Sequence, residues 1–408
     1  LINPIEIESP ENRDRASYEP MPFAASLSRA TNTSDAIRSV TDEVRGGLAG
    51  AEPDVSFLFV NHAHQDAFGQ LASRICEATG TKVLIGCTGE TIIGGREEIE
   101  TGPALSLWSA ALPGARIETF SANFERTVDG IVTSGLPAIS SEEPDLRAVF
   151  LLADPFSSAP HSVLDHVDAE APGVPVLGGM ASGGHGAGEN RLFYNSHEAR
   201  HGAIGLLVRG GPRVRTVVSQ GCRPVGTHYV VTRADGNVVH ALGGMPPMQR
   251  LRELFDTLSE RDAELVRMGL HLGLAMNEYR DRFEQGDFLI SNVTGADPGT
   301  GSIALGTQVR VGQTVRFHVR DAQTADEDLL GLLEADSKGQ TARPQAGLLF
   351  SCNGRGTRLF EKPNHDAAAV QKIAGPIPLA GFFAQGEIGP ISGRNYLHGF
   401  TASIALFE

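Results

Sequence analysis

The chain has 408 residues, 41% hydrophobic and 20% charged, the make-up of a globular protein with room for two or three domains. A formal net charge of −15 and no Lys/Arg-rich run argue against a nucleic-acid partner and against docking on an anionic membrane. Cys76, Cys87, Cys222 and Cys352 lie far apart with no C-x-x-C pair, so neither a disulfide scaffold nor a structural zinc site is expected. With no signal-peptide core and no apolar stretch of about 20 residues, a cytoplasmic protein is expected.

In chain order, residues 1–22, interrupted by Pro4, Pro10, Pro20 and Pro22, read as a tail. Phe23–Ser28 is expected as a strand, followed by a helix capped near Thr33 or Ser34 with Ile37, Val40 and Val44 on one face. One pattern then occurs three times. The first copy is a strand at 57–60 (FLFV), a helix at 66–79 closed by Gly80, a strand at 83–85, the loop GCTGETIIGG and a strand at 104–110. The second is a strand at 149–152 (VFLL), a helix around 161–168 opened by Pro160, a strand at 174–177, the loop GGMASGGHGAG, and strands near 192–194 and 203–208. A hairpin follows at 229–232 and 237–241, then helices at 248–258 and from Ser259 to about 268, strands at 288–292, 302–305 and 314–319, and a helix at 323–333. The third copy is a strand at 347–350 (GLLF), a helix at 366–373 with Asn364 as its cap, a strand at 377–380, the loop GFFAQGEIGP and a strand at 400–407.

Leu58 to Leu84 is 26 residues, Leu151 to Val176 is 25 and Leu349 to Leu379 is 30. Strand–helix–strand units of this length are right-handed parallel crossovers. The expected fold is therefore α/β, with repeated strand–helix–strand units forming two stacked sheets flanked by helices, an αββα-like arrangement. Residues 57–110, 149–208 and 347–407 are expected to superpose. Gly210-Gly211-Pro212 marks a boundary, giving domains at 23–212 and 213–408.

Four Gly-rich loops follow buried-looking strands: GCTGE (86–90), GGMASGG (178–184), SCNGRG (351–356) and AQGEIGP (384–390). Glycine lets a ligand approach main-chain N–H groups, and strand carboxyl ends are the usual ligand ground in α/β sheets. The competing reading of each loop is a tight turn. No Walker loop, G-x-S-x-G or H-E-x-x-H is present, so no catalytic residue is assigned. The candidate ligand-binding residues are Cys87, Thr88, Gly179, Cys352, Asn353, Arg355, Gly356, Gly386 and Glu387. The guanidinium fork of Arg355 suits a carboxylate. Cys352, beside Arg355 and Arg358, is either a thiol of lowered pKa or a small core residue. Glu387 is expected within about 4 Å of Arg355 or bridged to it by a ligand. Arg320 and Asp321, in HVRD, read as residues that knit the fold. Thirteen histidines include His62 and His64, and His197 and His201, but none has companions at familiar metal-ligand spacing, so no metal site is assigned.

VSQGCRPVG (218–226), FHVRD (317–321), LLFSCNGRG (348–356), GFFAQGEIGP (381–390) and LHGFT (397–401) resemble the C-terminal half of the FIST family. LIGCTGE (84–90) and VLGGMASGG (176–184) resemble its N-terminal half, and the resemblance spans roughly 23–408. It implies a paired N- and C-domain module of intracellular signal transduction that senses small ligands, with amino acids or their derivatives proposed. Family members are fused to kinases and other output domains, and some bind haem and report nitric oxide to a partner kinase. No output domain is legible here, so action on a separate signalling kinase or other output protein is expected. The leading expectation is a small-molecule sensor with no cofactor, its ligand a small anionic or amino-acid-like metabolite. An enzyme acting on a small acid through Cys352, Arg355 and Glu387 is one alternative. A haem-based gas sensor is the other, although no axial ligand is assigned.

Overall fold

Three copies of one strand arrangement organise the chain. In the computed structural model, residues 23–128, 130–139, 145–280, 282–340 and 342–408 are described; the expected tail at 1–22 lies outside them. The first copy comprises β1 (Phe23–Ser28), α1 (Thr33–Gly47), β2 (Val55–Val60), α2 (Phe68–Thr79), β3 (Leu84–Thr88), β4 (Ile92–Gly94), β5 (Glu97–Ile99) and β6 (Leu105–Ala110). The second comprises β7 (Arg116–Thr127), β8 (Gly130–Ser134), β9 (Leu146–Ala153), α3 (Pro160–Glu170), β10 (Val176–Met180), β11 (Leu192–Tyr194), β12 (His197–Ala199) and β13 (Ala203–Arg209). The third opens with β14 (Val214–Gln220) and is interrupted by β15 (Cys222–Asp235), β16 (Val238–Leu242), α4 (Pro247–Phe255), α5 (Glu260–Met268), β17 (Leu270–Ala275), β18 (Phe288–Ala296), β19 (Ile303–Leu305) and β20 (Thr314–Arg320). It resumes with α6 (Ala322–Lys338), β21 (Ala346–Cys352), α7 (His365–Ala374), β22 (Leu379–Ala384), β23 (Glu387–Ile391), β24 (Arg394–His398) and β25 (Thr401–Phe407).

Local chemistry sets the helix ends. Asn32 caps α1, its side chain accepting from the N–H groups of Ser34 and Asp35 at 2.9 and 3.2 Å, one residue before the expected cap. Gly80 closes α2 at φ 74° and Pro160 opens α3. The Ser259 hydroxyl accepts from the Asp262 N–H at the start of α5, as the capping-box spacing predicts. The central strands β2, β9 and β21 are apolar runs because both their faces are covered.

The sheets run β1-β6-β2-β3-β11-β12, β8-β7-β13-β9-β10-β23-β24 and β14-β25-β21-β22-β4-β5. Each centres on one parallel pair, β2/β3, β9/β10 or β21/β22. Each is completed by a hairpin from another copy: β11–β12 joins the first sheet, β23–β24 the second and β4–β5 the third. Residues 57–110, 149–208 and 347–407 thus share one strand order. The expected pair of stacked sheets gives way to three sheets and a closed barrel, β15-β16-β19-β18-β17-β20, inserted between β14 and α6. Three inner faces meet in one aromatic core that includes Phe57, Trp108, Phe150, Phe350, Phe382 and Phe407. On the outer faces, α1 and α2 cover the first sheet, α3 the second, and α6 and α7 the third.

A shared backbone contact aligns the copies residue by residue. Gly86 pairs with Leu58, Gly178 with Leu151 and Gly381 with Leu349. A Cβ on these glycines would come within 2.1, 2.0 and 1.8 Å of the opposing leucine carbonyl oxygen. Gly381→Ala is accordingly expected to destabilise the protein by at least about 1–3 kcal/mol, the usual overpacking range. An unchanged midpoint in denaturant unfolding would contradict this reading of the contact.

Candidate functional site

The alignment makes the third copy stand out. Cys352, three residues past Leu349, is equivalent to Asn61 and Asp154. On the exchanged hairpins, Ile92 lies opposite Phe382, Leu192 opposite Cys87 and Glu387 opposite Gly179. Two copies therefore fill this buried position with an apolar side chain and one fills it with a carboxyl group. Burial pushes the Glu387 carboxyl up to about 8. Its Oε2 accepts from the Thr401 N–H at 3.0 Å, while Oε1 has no protein partner.

Cys352 ends β21 beside this carboxyl. Burial, then the neighbouring carboxylate, push the thiol up. A lowered pKa for Cys352 is thus overturned: burial and the adjacent Glu387 outweigh the nearby arginines. Across the β23–β24 pair, His398 faces Glu387. Its Nε2–H donates to the Gly389 carbonyl at 2.9 Å, leaving Nδ1 as an acceptor without a partner. Burial lowers its pKa to about 4. Around neutral pH this corner holds a protonated carboxyl, a thiol and a neutral imidazole. That set can hold hydrogen-bonding groups but offers no activated nucleophile.

The corner opens on a cleft of about 370 Å³ between the barrel and the three-sheet core. Cys352, Asn353, Gly386 and His398 line one side, with Gln385 and Phe400; Ile290, Ser291 and Asn292 of β18 line the other. Gly179 sits against the same corner, where a Cβ would meet Ala384 at 2.8 Å and the Gly386 carbonyl at 3.0 Å. A larger hollow of about 630 Å³ lies near the ends of α1 and α2. It is lined by Asp42, Arg45, Glu52 and Glu77 and contains none of these buried polar groups.

Arg355 forms no ion pair with Glu387, although its charge still acts on that carboxyl. It is 1% exposed, and its Nε and Nη2 donate to Asp366 Oδ2 and Oδ1 at 2.6 and 2.8 Å. Asp366, near the start of α7, also accepts from the Ser351 hydroxyl at 2.6 Å and lies 2.9 Å from His365 Nδ1. Against the upward pull of burial, Arg355 and His365 hold Asp366 well below the usual carboxylate range. Glu98, from the exchanged β4–β5 hairpin, joins this cluster by accepting from the Ala367 N–H at 2.8 Å, and burial, then Asp366, push it up to about 8. The expected Arg355–Glu387 pair is replaced by Arg355–Asp366, a bidentate pair eleven residues apart in sequence. Gly356 makes the turn after Arg355, where a Cβ would meet the Glu100 carboxylate at 2.8 Å.

Cys87 and Thr88 do not line the cleft. Cys87 is in the core, with its thiol pushed up by burial. Thr88 Oγ1 accepts from the Arg191 N–H at 3.1 Å. His398 is the site residue that sequence reading missed; its signal is its placement opposite Glu387 across the turn at 392–393. Arg320 and Asp321 knit the fold as expected. Asp321 caps α6 and pairs with Arg223 and Arg261, and Arg320 donates to the carbonyls of Gly354 and Arg358. Among the described residues, no helix is long and apolar enough to cross a membrane.

Comparison with known proteins gives the family. The FIST N domain model matches residues 54–245 and the FIST C domain model residues 247–390, dividing the chain between β16 and α4. The uncharacterized protein Rv0628c of Mycobacterium tuberculosis (strain ATCC 25618 / H37Rv) is 42% identical over 387 residues, covering 95% of this chain and all of the relative. The uncharacterized protein Mb0898c of Mycobacterium bovis (strain ATCC BAA-935 / AF2122/97) is 43% identical over 365 residues, covering 90% and 93%. With both domain models matched in order and relatives aligned over nearly their whole length, the chain belongs to the FIST family, whose domains are sensory modules of signal transduction.

Proposed function

We propose that this protein binds a small amino-acid-like molecule in the cleft beside Glu387 and passes the occupied state to a separate output protein. A signalling kinase is among the partner classes the family implies. The observation that carries the reading is Glu387 itself. Burying a carboxyl with one bare oxygen costs stability, and the fold fills both equivalent positions with Ile92 and Leu192. The carboxyl therefore serves something other than the fold.

Of the two ligand classes expected from sequence, the anionic one loses its cation, because Asp366 already neutralises Arg355. The amino-acid-like one gains support. Once Glu387 is ionised, its Oε1 and the Nδ1 of His398 are two neighbouring acceptors without protein partners, which suits an amino group. Asn353 and Gln385 bring side-chain amides to the same cleft for the ligand's other end. An enzyme reading has less behind it, since the Cys352 thiol is pushed up rather than down.

Calorimetric titration with the best amino-acid hit of a thermal-shift screen tests the proposal. Glu387→Leu, copying Leu192, is expected to weaken binding about tenfold or more, in line with losing a hydrogen bond to a charged group, while the melting temperature holds or rises. An ammonium group beside Glu387 favours its ionised form, so binding at pH 7 releases a proton and tightens as pH rises towards about 8. Retained affinity in Glu387→Leu would sink this assignment.

A further inference from the structure

A second groove, of about 300 Å³, lies on the other side of the loop that follows β21. We infer that this groove, between α5 and the loop, docks an acidic segment with an apolar anchor residue on the output protein. The inference takes its purpose from the sensory reading, but its chemistry stands alone. Leu265 and Met268 of α5 and Leu359 of the loop give the groove an apolar lining, and Met268 is 73% exposed. A large side chain so open to water, beside a concave apolar surface, fits an anchor residue on a partner.

Two arginines, Arg320 and Arg358, line the same groove. Arg358 is paired with Glu90. Arg320 has no carboxylate within ion-pair distance among the described residues; its Nη2 is held by the carbonyls of Gly354 at 2.7 Å and Arg358 at 3.0 Å. Two of the acids around it are already engaged, Asp321 with Arg223 and Arg261 and Asp262 with Arg223. An oriented, unneutralised guanidinium beside an apolar groove is therefore built into a chain of net charge −15. A partner carboxylate complements the guanidinium, and an apolar side chain complements Leu265, Met268 and Leu359.

The groove also shares parts with the ligand cleft. The Arg320 guanidinium lies over the Phe400 ring, 5.2 Å from its centre, and donates to Gly354. Phe400 and Gly354 both line the cleft. A ligand that shifts either residue shifts the docking cation with it.

The test uses the full chain and a dye-labelled synthetic peptide of alternating glutamate and leucine, with a lysine–leucine peptide of equal length as control. The glutamate peptide is expected to bind, more weakly as salt rises. Met268→Glu, placing a like charge in the apolar contact, is expected to weaken that binding about tenfold or more at an unchanged melting temperature. Equal binding of the lysine peptide, no binding of either peptide, or full affinity in Met268→Glu would each overturn the inference. No small molecule enters this titration, so a failed ligand screen leaves its result standing, and its failure leaves the cleft assignment intact.

Discussion

Asp366→Ala is expected to cost about 3–5 kcal/mol of stability, the range for breaking a buried ion pair from one side. Arg355 is 1% exposed and Asp366 is fully buried, so the truncation leaves a permanent positive charge sealed in the third sheet without its bidentate partner. Ser351 and His365 lose an acceptor in the same step. The face of Phe360, 5.3 Å from the guanidinium, offers only weak compensation. Guanidinium chloride unfolding gives the number, and a loss below about 1 kcal/mol, the range of an exposed pair, would refute the view that this pair holds the SCNGRG loop. Replacing both partners together, Arg355→Met with Asp366→Leu, is expected to cost far less, because no orphaned charge remains. The folded-state pKa of Asp366 lies below its unfolded value. Its contribution is therefore present above about pH 4 and is lost as the medium is acidified through the folded-state value.

Stability is expected to peak near pH 6.5 and to fall towards pH 8. Glu98 and Glu387 are both pushed from an ordinary 4.5 up to about 8. Between those values the folded state binds more protons than the unfolded one, so stability drops as pH rises, by up to about 1.4 kcal/mol per pH unit for each carboxyl. His365 acts in the same direction, its folded pKa being raised above 6.5, chiefly by Asp366 acting against the pull of burial. Below pH 6.5 the opposite limb takes over. Burial lowers His271, His318 and His398 to about 4, so acid must force protons into sites that exclude them. Melting temperatures measured from pH 5 to 8.5 trace both limbs. Glu387→Leu and Glu98→Gln should each flatten the alkaline one; a wild-type profile level from pH 6.5 to 8 would rule out the assigned carboxyl shifts.

Much of this was legible in the sequence because the central strands advertise themselves. FLFV, VFLL and GLLF are apolar on both faces, and the helices after them carry readable caps and stripes. The β4–β5 hairpin was not legible: its strands have three residues each and pair with a sheet built some 290 residues later. That exchange also hid the number of sheets, since local pattern identifies a strand but not the copy it joins. Cys352, Asn353 and Gly386 line one cleft, with Glu387 and Gly179 paired behind it, because each follows or ends a central strand. The partner of Arg355 was missed for a different reason. Asp366 read as the opening of an amphipathic helix, where an acidic residue is ordinary, and nothing in its spacing shows that the helix end is turned inward onto Arg355.

The exchange of hairpins makes a circle with no seam. The first sheet waits for β11–β12, the second for β23–β24, and the third must recover β4–β5 from the far end of the chain. During synthesis the first two sheets stand incomplete in turn, and the last only closes when strands made first are still free to receive it. A chain cut at the Gly210-Gly211 turn would give an amino-terminal piece missing β23–β24 and a carboxy-terminal piece missing β4–β5, each with an open sheet edge prone to aggregation. The two pieces on either side of that turn are then two halves of a clasp, each holding the hairpin that the other's sheet needs.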